Sequence, residues 1–171
     1  MGLFLPHERY RRITDIPVGH FAALGKRALI LDIDNTLTTH DNPVPGEGVL
    51  EWLAAVQAAG VSCILLSNNT PARVEPFAKV LGLGFEADAA KPLPGGCRRA
   101  CRAMGVTREE TALIGDQIFT DVLAGRLGGY HTILVDPIEP EQTRFFRLKR
   151  RLEQPLLRRF DRKYRRETSH T

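Results

Sequence analysis

The stretch Leu29-Ile-Leu-Asp-Ile-Asp-Asn-Thr-Leu37 decides how the rest of this 171-residue chain is read. An apolar run stops abruptly in two carboxylates, an amide and a hydroxyl. A strand covered on both faces shows no alternation and reads as such a run. In an open parallel sheet the carboxyl ends of the strands border the crevice where ligands bind. Asp32 and Asp34, two positions apart, leave a strand on the same side and converge there.

Outward from this stretch, similar runs recur at 61–67, 111–116 and 132–136, with a weaker one at 85–87. Helical segments lie between them at 48–59, 71–81, 94–104 and 120–127, closed by Gly60, Gly82, Gly105 and Gly128-Gly129. Strands alternating with helices over short turns predict an α/β fold: a three-layer, doubly wound, Rossmann-like parallel sheet. Residues 1–140 read as one domain, whose first 25 residues are an irregular lead-in with a short helix at 18–24. Residues 141–171 read as a helical basic tail in which Pro155 opens a second helix.

The other strand ends are polar as well. The second run closes on Ser67-Asn68-Asn69, Lys91-Pro92 follows the weak run, and the next run closes on Gly115-Asp116, with Asp121 five residues on. Carboxylates converging on one crevice repel each other unless a cation sits among them. Oxygen ligands with room for water suit Mg²⁺ better than a soft metal. A carboxylate nucleophile, a second carboxylic acid, a hard cation and an ammonium are the parts required for covalent phosphoryl transfer. Taken singly, each has a plainer reading: a strand-end Asp as a helix cap, Ser67 and Asn68 as turn residues, Lys91 as a surface charge. Their recurrence at successive strand ends favours the site.

Composition narrows the alternatives. The chain is 43% hydrophobic and 26% charged, which excludes a disordered or collagen-like chain. Its longest apolar runs fall far short of the roughly 18–20 residues that span a bilayer. The start, Met1-Gly-Leu-Phe-Leu-Pro, lacks the order of a secretory signal, so the expected location is cytoplasmic. Cys63, Cys97 and Cys101 read as reduced thiols in or near the core.

In order, Asp32-Ile-Asp34-Asn-Thr36, Ser67, Lys91-Pro92 and Gly115-Asp116 with Asp121 resemble the four motifs of the haloacid-dehalogenase-like (HAD) phosphatases. Within that superfamily the chain is similar to the YqeG-type, subclass IIIA group, some of whose relatives resemble phosphatidylglycerophosphate phosphatases. The lead-in Phe4-Leu-Pro and the run Gly115-Asp-Gln-Ile-Phe-Thr-Asp121 share in the resemblance, which covers nearly the whole chain. It implies that Asp32 attacks phosphorus and carries an aspartyl-phosphate, while Asp34 protonates the leaving alcohol and then activates water. It implies Mg²⁺ held by the Asp32 carboxylate, the Asp34 carbonyl and the Asp116 carboxylate. Ser67, with Asn68, would bind the phosphoryl oxygens and Lys91 would offset their charge. Asp121 would position Lys91 or a metal-bound water, and Thr36 would support the loop carrying Asp34.

The same family chooses substrates largely through cap insertions. From Asp34 to Ser67 there are 33 residues and from Ser67 to Lys91 there are 24, already consumed by loop, helix and strand. No cap domain is expected, so the crevice suits a substrate that is large or presented on a surface. The charge distribution points the same way. Residues 141–171 carry 11 Lys/Arg against 4 Asp/Glu, whereas the first 140 carry 13 against 16. Phe145, Leu148, Leu152, Leu156, Phe160 and Tyr164 form one apolar stripe, flanked by Arg147, Lys149, Arg150, Arg151, Arg158, Arg159, Arg162, Lys163, Arg165 and Arg166. Such a helix suits peripheral contact with an anionic membrane, or packs in its 145–152 part on the body. The expected activity is a Mg²⁺-dependent phosphatase acting on a lipid phosphate such as phosphatidylglycerophosphate. The alternatives are a phosphatase of soluble sugar or nucleotide phosphates or of phosphoproteins, and a module whose basic tail binds RNA or ribosomes.

Overall fold

A computed structural model describes residues 2–140 and 144–168, with side chains described outside 144–146, 149, 150 and 163–168. Six strands form a single sheet: β1 Glu8–Tyr10, β2 Ala28–Leu31, β3 Ser62–Leu66, β4 Gly84–Glu86, β5 Thr111–Gly115 and β6 His131–Val135. Their order is β1-β6-β5-β2-β3-β4 and every pairing is parallel. The helices are α1 Val18–Ala23, α2 Val49–Ala58, α3 Pro71–Leu81, α4 Gly95–Met104, α5 Leu123–Gly128 and α6 Arg144–Thr168. A π-helical turn, Ile118–Val122, precedes α5.

The apolar runs are unbroken because alternate residues pack on opposite layers. Leu29, Leu31, Leu65 and Ile114 join α1, α2 and α3 through Phe21, Trp52, Val56 and Phe77. Ile30, Ile64, Leu66 and Leu113 join α4 and α5 through Cys97, Ala100, Cys101 and Ala124 on the other face. The expected three-layer, doubly wound sheet is what the chain forms. From β2 the chain winds outward to β3 and β4, then α4 carries it back past β2 to β5 and on to β6. Winding therefore reverses between β2 and β5, the place where such sheets open a crevice at their carboxyl edge. Loop, α2 and β3 fill the first interval and α3 and β4 the second, and among the described residues no further element is inserted there.

Two expectations are corrected. The lead-in is not wholly irregular: Glu8–Tyr10 is an edge strand parallel to β6. Its polar sequence hides it, but Glu8 is bridged by His20 and His131, and Arg9 by Asp136 and Asp161, so the charges have partners. Pro155 does not open a second helix either; α6 runs through it unbroken. The residues that seat α6 are Glu153 and Phe160, both buried, with Leu156 and Leu157 packed on Ile118, Val122 and Leu134. Tertiary contacts on both sides of the proline offset its missing N–H. Leu148 and Leu152 instead face outward, 58% and 59% exposed. The side chains of Phe145, Tyr164, Lys149, Arg150, Lys163, Arg165 and Arg166 lie outside the described residues.

Candidate active site

The carboxyl ends of β2, β3, β4 and β5 converge as the winding requires. Asp32 and Asp34 follow β2, Ser67 follows β3, Lys91 follows β4, and Asp116 and Asp121 follow β5. A crevice of about 270 Å³ is lined by Asp32, Asp34, Ser67, Lys91, Thr120 and Asp121.

At its floor the Lys91 ammonium, 4% exposed, donates to Asp32 Oδ1 at 2.5 Å, Asp121 Oδ1 at 2.7 Å and the Leu66 carbonyl at 3.1 Å. All three donor hydrogens of the lysine are thereby directed. Asp32 Oδ2 accepts from the Thr36 hydroxyl at 3.2 Å. Burial and the neighbouring Asp121 charge push the Asp32 carboxyl up to about 7, against the opposing pull of Lys91. The Lys91 ammonium, which burial alone would discharge, is held protonated by Asp121 and Asp32. Asp32, Asp116 and Asp121 each offer a carboxylate oxygen, and the three lie within 4.8 Å of one another. Three hard oxygens so close, with one ammonium between two of them, fit a divalent cation.

Local structure fixes these positions. Gly115 is required where β5 ends, because a Cβ there would stand 2.4 Å from Asp121 Cγ. Asp121 sits on the π-helical turn and accepts from the Gln117 N–H at 3.1 Å. The start of that turn is held from the far end of the chain: the Glu153 carboxylate of α6 accepts from the N–H groups of Ile118 at 2.9 Å and Phe119 at 3.3 Å. Ser67 is buried, and its hydroxyl accepts from the Asn69 N–H at 3.1 Å. The Asn68 amide is engaged with the Lys91 backbone in a two-way exchange, 2.7 Å from the Lys91 N–H and 3.1 Å to its carbonyl.

Asp34 is half-buried in the mouth. Its Oδ2 accepts from Asn69 Nδ2 at 2.8 Å, while its Oδ1 faces Arg73 Nη2 and His40 Nδ1, each at 3.6 Å. Asn69 stands at the strand end where the sequence placed it, whereas His40, Arg73 and Glu153 were not expected from the sequence. His40 belongs to the loop after β2 and Arg73 to the first turn of α3, where no periodicity marks them. Glu153 looks like one more charge in a charged helix.

The profile of a family described as haloacid dehalogenase-like hydrolase matches residues 39–129, which include Ser67, Lys91, Asp116 and Asp121. A protein of Bacillus subtilis called "Probable phosphatase YqeG" is 36% identical over 160 residues, 94% of this chain and 93% of its own. The chain belongs to the haloacid dehalogenase-like hydrolases. This hydrolase is an enzyme of the phosphatase type within that family. It also aligns over 98% of its length, at 25% identity, with about half of an Arabidopsis thaliana protein called "Phosphatidylglycerophosphate phosphatase 1, chloroplastic/mitochondrial". Among solved structures, NagD from E. coli K-12 superposes with a TM-score of 0.57 at 17% identity, covering 67% of this hydrolase and 90% of NagD. That likeness is one of fold.

Proposed function

We propose that this hydrolase is a Mg²⁺-dependent phosphomonoesterase working through an aspartyl-phosphate on Asp32, and that its substrate is a lipid phosphate, phosphatidylglycerophosphate in particular. The observation that carries the reading is the buried contact of Lys91 with Asp32 and Asp121 in the crevice that Asp34 also lines. Asp32, Asp116 and the Asp34 carbonyl would hold the ion. Bound there, Mg²⁺ supplies charge neutralisation at the transferring phosphoryl oxygens.

In the first step an Asp32 oxygen forms a bond to phosphorus as the ester P–O bond breaks, and Asp34 gives its proton to the departing alkoxide. In the second, water attacks the acyl phosphate, Asp34 takes its proton, and Asp32 is regenerated as inorganic phosphate leaves. Lys91 pulls Asp32 toward its ionised form against burial and meets the negative charge of the phosphoryl group. Asp121 positions Lys91, and Thr36 steadies the second oxygen of Asp32. Ser67 contacts the phosphoryl oxygens. Asn68 acts on the same group by fixing the Lys91 backbone.

The lipid assignment draws on the Arabidopsis relative, the uncapped crevice and the outward face of α6. There Leu148 and Leu152 stand exposed beside Arg147 and Arg151, with Arg158, Arg159 and Arg162 further along. An apolar pair ringed by arginine suits peripheral contact with anionic lipid. A soluble substrate has support of its own: a Thermus thermophilus "Phosphoserine phosphatase" is 32% identical over 53% of this chain.

Phosphate release with Mg²⁺ from an aryl phosphate, a glycerophospholipid phosphate and phosphoserine tests the reading. Asp32→Asn is expected to lose activity at least a thousandfold on all substrates cleaved, with the lipid phosphate preferred. An Asp32→Asn protein as active as wild type refutes the mechanism, and preference for phosphoserine refutes the lipid. For the membrane, Leu148→Glu/Leu152→Glu is compared with wild type in co-sedimentation with anionic liposomes. Truncation at 141 is unsuitable, since it removes the buried Glu153 and Phe160. Equal pelleting of the two proteins refutes the contact.

A further inference from the structure

A second cavity, of about 280 Å³, lies next to the catalytic crevice. Asp34 and Asn69 line both spaces, so the two adjoin at the acid/base residue. The lining of the second cavity is mostly apolar, from Ile33, Pro43, Val74, Pro76 and Phe77, with Arg73 and Asp41 beside them. Its chemistry is thus an apolar groove that carries one guanidinium paired with a carboxylate.

The position of Arg73 beside Asp34 has a direct consequence, which rests on the phosphatase reading. The leaving oxygen must come within hydrogen-bond reach of Asp34 to receive its proton. Asp34 Oδ2 is taken by Asn69, and Oδ1 faces Arg73 and His40. A leaving alcohol bound at Oδ1 therefore places its next few atoms against the Arg73 guanidinium. Before substrate arrives, Arg73 is paired with Asp41, a carboxylate 65% exposed on the loop after β2. An ion pair that open to water is worth little, so a substrate anion exchanges with Asp41 at small cost. The planar fork of arginine matches a phosphate oxygen pair.

We infer that this second cavity is the leaving-group subsite, and that Arg73 selects a phosphomonoester whose alcohol carries a second anion, a phosphodiester, followed by an apolar chain. The volume sets a limit. At about 30 Å³ per water-sized unit it holds about nine such units, enough for a phosphodiester and the first carbons beyond it. Whole acyl chains do not fit and would stay in the membrane, consistent with a crevice open to a surface. His40, exposed beside the same oxygen, is a second polar contact for the headgroup.

The test compares kcat/KM, with Mg²⁺, for three phosphomonoesters: 4-nitrophenyl phosphate, glycerophosphoglycerol phosphate, and the dihexanoyl form of the latter. Wild type is expected to prefer the two headgroup esters over the aryl phosphate. Arg73→Gln should lower kcat/KM for both headgroup esters at least tenfold more than for the aryl phosphate, a size typical of losing a charge-assisted hydrogen bond. Arg73→Lys, which keeps the charge and loses the fork, should fall between. Pro76→Asp, on the outer wall, should lower the dihexanoyl-to-headgroup ratio at least fivefold. Thermal melts show whether each variant is folded. Equal losses on all three esters for Arg73→Gln, no wild-type preference for the headgroup, or an unchanged ratio for Pro76→Asp would each overturn the subsite while leaving the phosphatase intact. An Asp32→Asn protein that still hydrolyses the aryl phosphate overturns the phosphatase reading, and the subsite with it.

Discussion

Replacing Lys91 by methionine keeps the length of the side chain and removes the ammonium that sits between Asp32 and Asp121. Those three side chains are 4%, 12% and 3% exposed. At 2.5 and 2.7 Å, and with an effective dielectric of about 20, each contact is worth on the order of 6 kcal/mol of gross attraction. Burying the ammonium costs several kcal/mol in lost hydration, and Asp32, already pushed up to about 7 by burial and Asp121, can take a proton once Lys91 is gone. Both terms reduce the net effect. What remains is the usual cost of breaking a buried ion pair from one side, about 3–5 kcal/mol. At roughly 2–4 °C per kcal/mol for a chain of this size, the melting temperature should fall by about 6–20 °C. Urea unfolding and thermal melts in EDTA measure this, because a divalent ion would partly replace the lost charge. Adding Mg²⁺ should then recover part of the stability but not the activity, which should stay down by about 10²–10³-fold. An unfolding free energy in EDTA within about 1 kcal/mol of wild type would refute the idea that the carboxylates are organised around this lysine.

Gly115→Ala puts a methyl 2.4 Å from Asp121 Cγ and 2.6 Å from its Oδ2. Asp121 is tied to Lys91 and must be displaced, so stability should drop by about 1–3 kcal/mol and phosphate release by more than tenfold; wild-type turnover would show that Asp121 does not need its present position. Acid should unfold the protein through the β1 edge. Burial, His131 and Arg126 lower the His7 pKa to about 4, whereas burial would raise Glu8 but hydrogen bonds from His131 and His20 bring it down to about 2. Both groups bind fewer protons folded than unfolded, so stability is lost as pH falls from 6.5 toward 4 through His7 and from 4.5 toward 2 through Glu8. Both are partly exposed, so about 1–2 kcal/mol each is expected after solvent screening. A urea midpoint that stays flat between pH 7 and pH 4 would contradict the His7 part, and an unchanged acid limb in Glu8→Gln the Glu8 part.

The parts of the site that could be read in the sequence share one physical feature. Asp32, Ser67 and Asp116 each stand where an apolar run stops, and a buried strand can only turn polar where it leaves the sheet. Lys91 was legible by its place after a weak strand and Asp121 by its distance from Asp116. His40 and Arg73 were not, because they sit in a loop and a helix start where local pattern carries no information. Glu153 is 32 positions beyond Asp121, yet its carboxylate holds the turn on which Asp121 rides. Nothing near it in the chain distinguishes it from its charged neighbours. The strand Glu8–Tyr10 was hidden for a related reason: its charged residues are acceptable in a sheet only because distant residues pair with them.

By itself the sequence determined the parallel sheet, its double winding and the carboxylates brought to one edge, since these follow from hydrophobic periodicity and spacing along a few dozen residues. The tertiary structure alone decided which atoms meet: Lys91 between Asp32 and Asp121, the Asn68 amide on the Lys91 backbone, Arg73 in the lining of a second cavity beside Asp34. Hydrogen bonds and ion pairs depend on tenths of an ångström. Those distances are set by how strands and helices far apart in the chain pack against one another, which no local pattern encodes.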